Sequence, residues 1–315
     1  MIRIPRTDLD VSSVCLGTGS ISLALPDEEL FPLLDAFADA GGNFFDTANV
    51  YGKWAPWFDN RSEQRIGQWL AGRPDRARMI VATKGAHYDI KDPARTSRVT
   101  LAAITEDIEE SLRALGQETV DFYWLHRDDP TRPIGEILED CETLRRAGKL
   151  RWYGASNFTA ARLAEARRYA AECGIPGFSA VSNQWSLAEV TDLAHNNNPD
   201  PTLVLMGKEE YAFHAATGTA CIPYQATARG WFAKAAAGAA IDPGVTRAFD
   251  TPANRATLAA LMEKSAATGH SVQALALSEL AAQPFPVIPI SSASNDAQMD
   301  TLLEAMTLLE NGEAL

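Results

Sequence analysis

Residues 43–52 read NFFDTANVYG, a short apolar run that ends in a carboxylate, with a phenol five positions later. Three residues before a polar end are too few for a helix and suit a buried strand. The same event recurs along the chain: RMIVATK (78–84) ends in Lys84 and VDFYWLH (120–126) ends in His126. Further short apolar runs are VCLGTG (14–19), RWYGASN (151–157), FSAVSNQW (178–185), ACIPYQ (220–225) and PVIPI (286–290), which makes eight candidate strands. Between them lie amphipathic stretches such as PDEELFPLLDAFADAGG (26–42) and TSRVTLAAITEDIEESLRALG (96–116), whose apolar residues recur three and four apart. Eight such β–α units predict a (β/α)₈ TIM barrel formed by residues 1–315 as a single domain. Composition shifts only at 191–218 and 226–252, which read as long βα loops, the segments that build the mouth of such a barrel.

Side chains alternate along a strand, so His126 shares a face with Trp124 and Phe122, and Lys84 with Ala82 and Ile80. If those faces point inward, Asp46, Lys84 and His126 converge at the carboxyl end of the barrel, and Tyr51 can fold over them from the loop. Each alone has a plainer reading, as a helix cap, a solvated lysine or a satisfied histidine. Their gathering on consecutive strand ends favours chemistry. An ammonium beside a phenol stabilises the phenolate, a buried ammonium stays charged beside a carboxylate, and an imidazole can hydrogen-bond a carbonyl oxygen. Together they form a site for protonating an oxyanion, with Tyr51 as general acid.

The length of 315 residues fits one barrel, and the net charge of −13 argues against nucleic acid or an anionic membrane as the main partner. The start, MIRIPRTDLD, lacks an apolar signal-peptide core, and no run of about 18 apolar residues occurs, so the expected location is cytoplasmic. Cys15, Cys141, Cys173 and Cys221 show no metal-ligand spacing, and no metal is expected.

Over nearly its whole length the sequence resembles the aldo-keto reductase superfamily. GGNFFDTANVYG (41–52) is similar to the family's aspartate and tyrosine signature, VATK (81–84) to its lysine strand, WLHRDD (124–129) to its histidine strand and RSEQRIGQWL (61–70) to its second helix. The resemblance implies a catalytic tetrad of Asp46, Tyr51, Lys84 and His126 and a nicotinamide cofactor. Within YGASNF (153–158) and SNQW (182–185) it assigns Ser156, Asn157 and Gln184 to the carboxamide. Within PYQATARG (223–230) it implies that Tyr224 stacks on the nicotinamide ring while Gln225, Ala226, Ala228, Arg229 and Gly230 pass along the pyrophosphate. In VIPISSASNDAQM (287–299), Ile290, Ser292, Ser294 and Gln298 fall where relatives hold the far end of the cofactor. The cation that usually grips the 2′-phosphate is replaced there by Ser294 and Asn295, so NADP is the family expectation and NAD an alternative.

Trp54 and Trp57, in YGKWAPWFDN (51–60), and Trp124 and Trp185, near strand ends, are candidate walls for the substrate. The expected substrate is a small-molecule carbonyl or alcohol, with a lean toward sugar-type carbonyls. Two alternatives stay open: a slow-turnover regulatory subunit of the same fold, and a metal-dependent hydrolase or isomerase, against which the absence of an H-x-H pair after the first strand counts.

Overall fold

The computed structural model describes residues 1–54, 56–190 and 200–312. A two-stranded antiparallel hairpin, β1 (Ile2–Arg3) and β2 (Asp10–Val11), precedes eight parallel strands. These are β3 (Cys15–Gly17), β4 (Phe44–Asp46), β5 (Ile80–Gly85), β6 (Val120–Leu125), β7 (Leu150–Ser156), β8 (Ala180–Ser182), β9 (Ala220–Cys221) and β10 (Ile290–Ser291). They pair in chain order from β3 to β9, with β10 beside β3. The circle closes where Cys221 bridges Val287, through Cys221 N–H to Pro286 O (2.9 Å) and Ile288 N–H to Cys221 O (2.9 Å). The fold is a (β/α)₈ barrel.

The last two strands are shorter than the sequence predicts. Pro223, Pro286 and Pro289 lack the N–H that a ladder needs, which trims regular pairing to two residues on each side. The 191–218 and 226–252 stretches carry helices of their own. Lys208–Thr217 ends on left-handed Gly218, and two short helices, Trp231–Ala236 and Pro243–Phe249, occupy the second stretch. Residues 191–199 lie outside the described residues.

Alternation sorts the strand residues into two layers. Phe44, Ile80, Ala82, Phe122 and Trp124 fill the barrel with Ala180, Ala220, Ile222 and Ile288, while Ile4, Leu9 and Val11 of the hairpin region join the same cluster. Their neighbours Phe45 and Val81 pack outward under the helices, as do Tyr123 and Leu125. Surrounding helices begin on side-chain caps: Thr100 accepts from Ala103 N–H, Thr159 from Arg162 N–H and Thr251 from Asn254 N–H. Each such cap satisfies a backbone donor left free at the helix start and is worth about 1 kcal/mol. Among the described residues no helix is long and apolar enough to cross a membrane.

Candidate active site

Strand register carries three polar side chains to one level. Asp46 pairs with Ala82, Ala82 with Phe122 and Lys84 with Trp124, so Asp46, Lys84 and, one residue beyond β6, His126 all follow inward-facing positions. Beyond β4 the ladder continues, with Thr47 N–H to Ala82 O and Asn49 N–H to Lys84 O, each 2.9 Å. That pairing steers the chain over Lys84 and brings Tyr51 down above it. Gly19, in the loop after β3, makes room for the phenol, because a Cβ there would lie 2.6 Å from the Tyr51 ring.

Lys84 Nζ donates to Asp46 Oδ2, to Thr47 O (2.8 Å) and, at the limit of hydrogen-bonding distance, to Tyr51 OH (3.5 Å). The Lys84 and Asp46 side chains are only 3% and 5% exposed. Burial pulls the Lys84 pKa down, but the charges of Asp46 and the neighbouring Tyr51 outweigh it, and the net direction is upward. Lys84 is therefore an ammonium at neutral pH. For Asp46, burial pushes the pKa up against the pairing with Lys84.

His126 sits 6.0 Å from the Tyr51 ring, centroid to centroid, and 4.8 Å from His87. Burial, reinforced by Arg127, His87 and Lys84, holds its pKa well below the ordinary histidine range, so the ring is neutral. Its Nδ1 has no hydrogen-bond partner among the described residues. A neutral imidazole has one N–H to donate, which suits polarising a carbonyl oxygen without competing as an acid.

These four groups line one cavity of about 580 Å³ at the carboxyl end of the barrel. Of the residues expected to hold a cofactor, Ser156, Asn157, Tyr224, Gln225, Arg229, Ile290 and Ser292 line it as well. Asn157 Oδ1 accepts from Tyr224 OH (2.7 Å) and Val204 N–H (3.1 Å), which fixes the amide orientation and anchors the tyrosine ring. Ser292 Oγ donates to Gly17 O (2.6 Å) and ties the end of β10 to β3. Four non-glycine residues here, Asn157, Gln225, Ala228 and Arg229, have left-handed backbones with φ between 51° and 63°. Such conformations cost about 1–3 kcal/mol each outside glycine and gather where a ligand must be met in a set way. An aromatic ring, a hydroxyl pair and an amide around one cavity fit a nicotinamide and its carboxamide.

Other expected cofactor residues are placed elsewhere. Gln184 is buried, with both amide atoms lacking a partner among the described residues, but it lines a second cavity of about 490 Å³. Ala226 and Ala228 are packed into the layer between sheet and helices. Gly230 starts the helix Trp231–Ala236, and Ser294 and Gln298 bond each other at the start of the helix Asp296–Glu310, outside the cavity lining.

The tryptophans divide in the same way. Trp54, 39% exposed, lines the cavity and lies 6.3 Å from the Tyr51 ring. Trp57 instead packs against Arg61 (5.7 Å), and Trp185 stacks with Phe285 (6.3 Å) beside the second cavity. Trp124 is fully buried in the barrel core against Phe122 (4.6 Å), and is not a wall of the cavity. The sequence reading also passed over Arg127 and Leu203, which do line it. Arg127 stood in the quoted WLHRDD stretch, whereas Leu203 follows the segment 191–199 and carries no sequence signal.

A model of the Aldo/keto reductase family matches residues 13–312. An uncharacterized oxidoreductase of Bacillus subtilis is 34% identical over 193 residues, 59% of this chain and 58% of that protein. The aryl-alcohol dehydrogenase [NADP(+)] of Phanerodontia chrysosporium is 34% identical over 200 residues, 58% of this chain and 50% of its own length. A norsolorinic acid reductase of Emericella nidulans is 30% identical over 194 residues, 58% and 49% of the two chains. The matched part spans about half the length of these relatives.

Proposed function

The chain belongs to the aldo/keto reductase family, and from that premise we propose that it is an NAD(P)H-dependent oxidoreductase interconverting carbonyl compounds and alcohols. The observation that carries the proposal is the buried chain of contacts from Asp46 through Lys84 to Tyr51, with neutral His126 beside it at the cavity floor.

In reduction, Tyr51 donates its phenolic proton to the carbonyl oxygen. Lys84, held charged by Asp46, stabilises the phenolate that remains. His126 orients the same oxygen through its single N–H. In alcohol oxidation the roles reverse, and the Tyr51 phenolate takes the hydroxyl proton. A bound reduced nicotinamide supplies the hydride that, with this proton, converts carbonyl to alcohol. Ser156 and Asn157 would hold its carboxamide, Tyr224 its ring and the 225–230 loop its phosphates. NADP is the proposed cofactor, with NAD as the alternative because Ser294 and Asn295 stand where a cation is usual.

Aryl aldehydes and aryl alcohols are the proposed substrate class, supported by the names of the relatives and by Trp54 at the cavity. The lean toward sugars rested on four tryptophans, of which only Trp54 lines this cavity.

The test is a titration with NADPH and NADH, followed through nicotinamide fluorescence, and a screen of aryl and sugar aldehydes with the tighter cofactor. Tyr51→Phe should then keep cofactor affinity and lose roughly a hundredfold or more in kcat, the scale of general acid catalysis. Near-normal kcat in that variant would remove Tyr51 from its role.

A further inference from the structure

Arg127 follows His126 directly and lines the same cavity, yet the proton chemistry above gives it no part. It is 8% exposed. One guanidinium nitrogen donates to His126 O (2.7 Å) and another to Asp200 Oδ2 (3.1 Å). Its Nε is shielded from water and has no partner among the described residues.

Asp200 does not neutralise Arg127 alone. The same carboxylate accepts from Tyr88 OH (2.7 Å), from Thr202 Oγ1 (2.6 Å) and N–H (3.0 Å), and from Arg95 (3.4 Å). Among the described residues one carboxylate thus faces two guanidiniums, an excess of positive charge. Asp200 lies outside the cavity lining, whereas Arg127 is part of it.

The rest of the lining sharpens the asymmetry. Its charged residues include Lys84 and Asp46, which are committed to each other, so within the lining Asp46 is not available to offset Arg127. A chain of net charge −13 therefore has a cation-lined cavity. Low local dielectric around a buried guanidinium makes its pairing with an anion stronger than at an open surface, and its planar fork matches a carboxylate.

We propose that Arg127 makes this site selective for carbonyl substrates that also carry a carboxylate, which it receives beside His126. The proposal rests on the carbonyl-reducing reading for the substrate's other end; the anion site itself does not.

Two arms of one experiment separate these. In the first, the full chain is titrated calorimetrically at low salt with benzoate and with its neutral isostere benzamide. Wild type should bind benzoate roughly tenfold to hundredfold more tightly, the range of one charge-assisted contact. Arg127→Gln should abolish that preference, and Arg127→Lys, which keeps the charge but not the fork, should retain part of it. In the second arm, kcat/KM is compared for 4-carboxybenzaldehyde and methyl 4-formylbenzoate. The acid should be preferred by a similar factor, mainly through KM, and Arg127→Gln should level the two.

Equal binding of benzoate and benzamide by wild type would overturn the proposal, as would an undiminished preference in Arg127→Gln. So would an equal loss of affinity for both ligands in Arg127→Gln, which is what a purely structural clamp on His126 would give. Should Arg127→Gln fail to fold, wild type and Arg127→Lys decide alone: a benzoate preference smaller in Arg127→Lys than in wild type supports the guanidinium, and a preference undiminished in Arg127→Lys, or absent from wild type, sinks it. Turnover of neither aldehyde would defeat the reductase reading, while the binding arm would still stand or fall by itself.

Discussion

Breaking the Asp46–Lys84 pair should cost far more when one partner is removed than when both are. Their side chains are 5% and 3% exposed, and among the described residues Lys84 is the cation paired with Asp46. In Lys84→Met the carboxylate is left buried and uncompensated, a change worth about 3–5 kcal/mol. In Asp46→Asn the ammonium keeps Thr47 O as an acceptor (2.8 Å), so the loss should fall at the lower end of that range. The double variant Asp46→Asn/Lys84→Met removes both desolvated charges, and its loss should be well below the sum, with a coupling of roughly 3 kcal/mol. The two single variants should also answer pH in opposite senses. Burial already raises the Asp46 pKa with Lys84 present, and without it the folded state binds that proton more tightly still. Stability of Lys84→Met relative to wild type is then best at acid pH and falls as pH climbs above the ordinary carboxylate pKa of about 4. In Asp46→Asn the lysine loses the charge that raises its pKa, the unfolded chain binds the extra proton, and the relative deficit shrinks as pH rises toward the lysine range. Urea unfolding of the four proteins between pH 4 and 9 measures all of this. Additive losses with parallel pH profiles would refute the idea that the pair is a buried, mutually dependent unit.

Glu63 is fully buried, accepts from Asn60 Nδ2 (2.8 Å) and from Thr83, and has its pKa raised to about 7 by burial, with nearby Glu110 adding to the rise. A raised folded-state pKa gives stability that is present below about 4.5 and lost as pH rises through 7, so wild type should lose about 3 kcal/mol relative to Glu63→Gln across that window; parallel urea-derived curves for the two proteins would show the assignment to be mistaken. At the far end of the proposed cofactor site, Ser294→Arg should shift preference toward NADPH over NADH by roughly tenfold to hundredfold, and Asp296→Asn should act in the same direction more weakly. Dissociation constants from nicotinamide fluorescence check this, and an unmodified protein already preferring NADPH a thousandfold would mean another cation holds the phosphate.

The barrel and the gathering of three polar strand ends at one cavity were legible because both follow from a period of two. Asp46, Lys84 and His126 each end a run whose alternate residues are apolar, and a strand that buries one face must aim its last inward residue at the mouth. Where regularity stops, the sequence loses its grip. The hairpin of β1 and β2 has only two residues per strand, too few for alternation to register. Gln225, Ala228 and Arg229 take left-handed backbones that their side chains disfavour, so propensity points away from the loop they form. Arg127 lies two residues past the end of β6, where parity no longer says which way a side chain faces.

Trp124 shows how a correct face can still give an incorrect role. It shares the inward face with His126, but two residues along a strand is a step of about 6.7 Å, and that step separates the cavity mouth from the core beneath. Gly154 on β7 provides the space, since a Cβ there would meet the indole at 2.5 Å. The indole is set beside Lys84 in the ladder and lies close enough to Asp46 to oppose the rise of its pKa. The Asp46–Lys84 pair is buried, and a low dielectric around it strengthens the attraction that makes the pair costly to break. The residue read from sequence as a substrate wall thus belongs to the barrel core, where it touches the chemistry only through its proximity to Asp46.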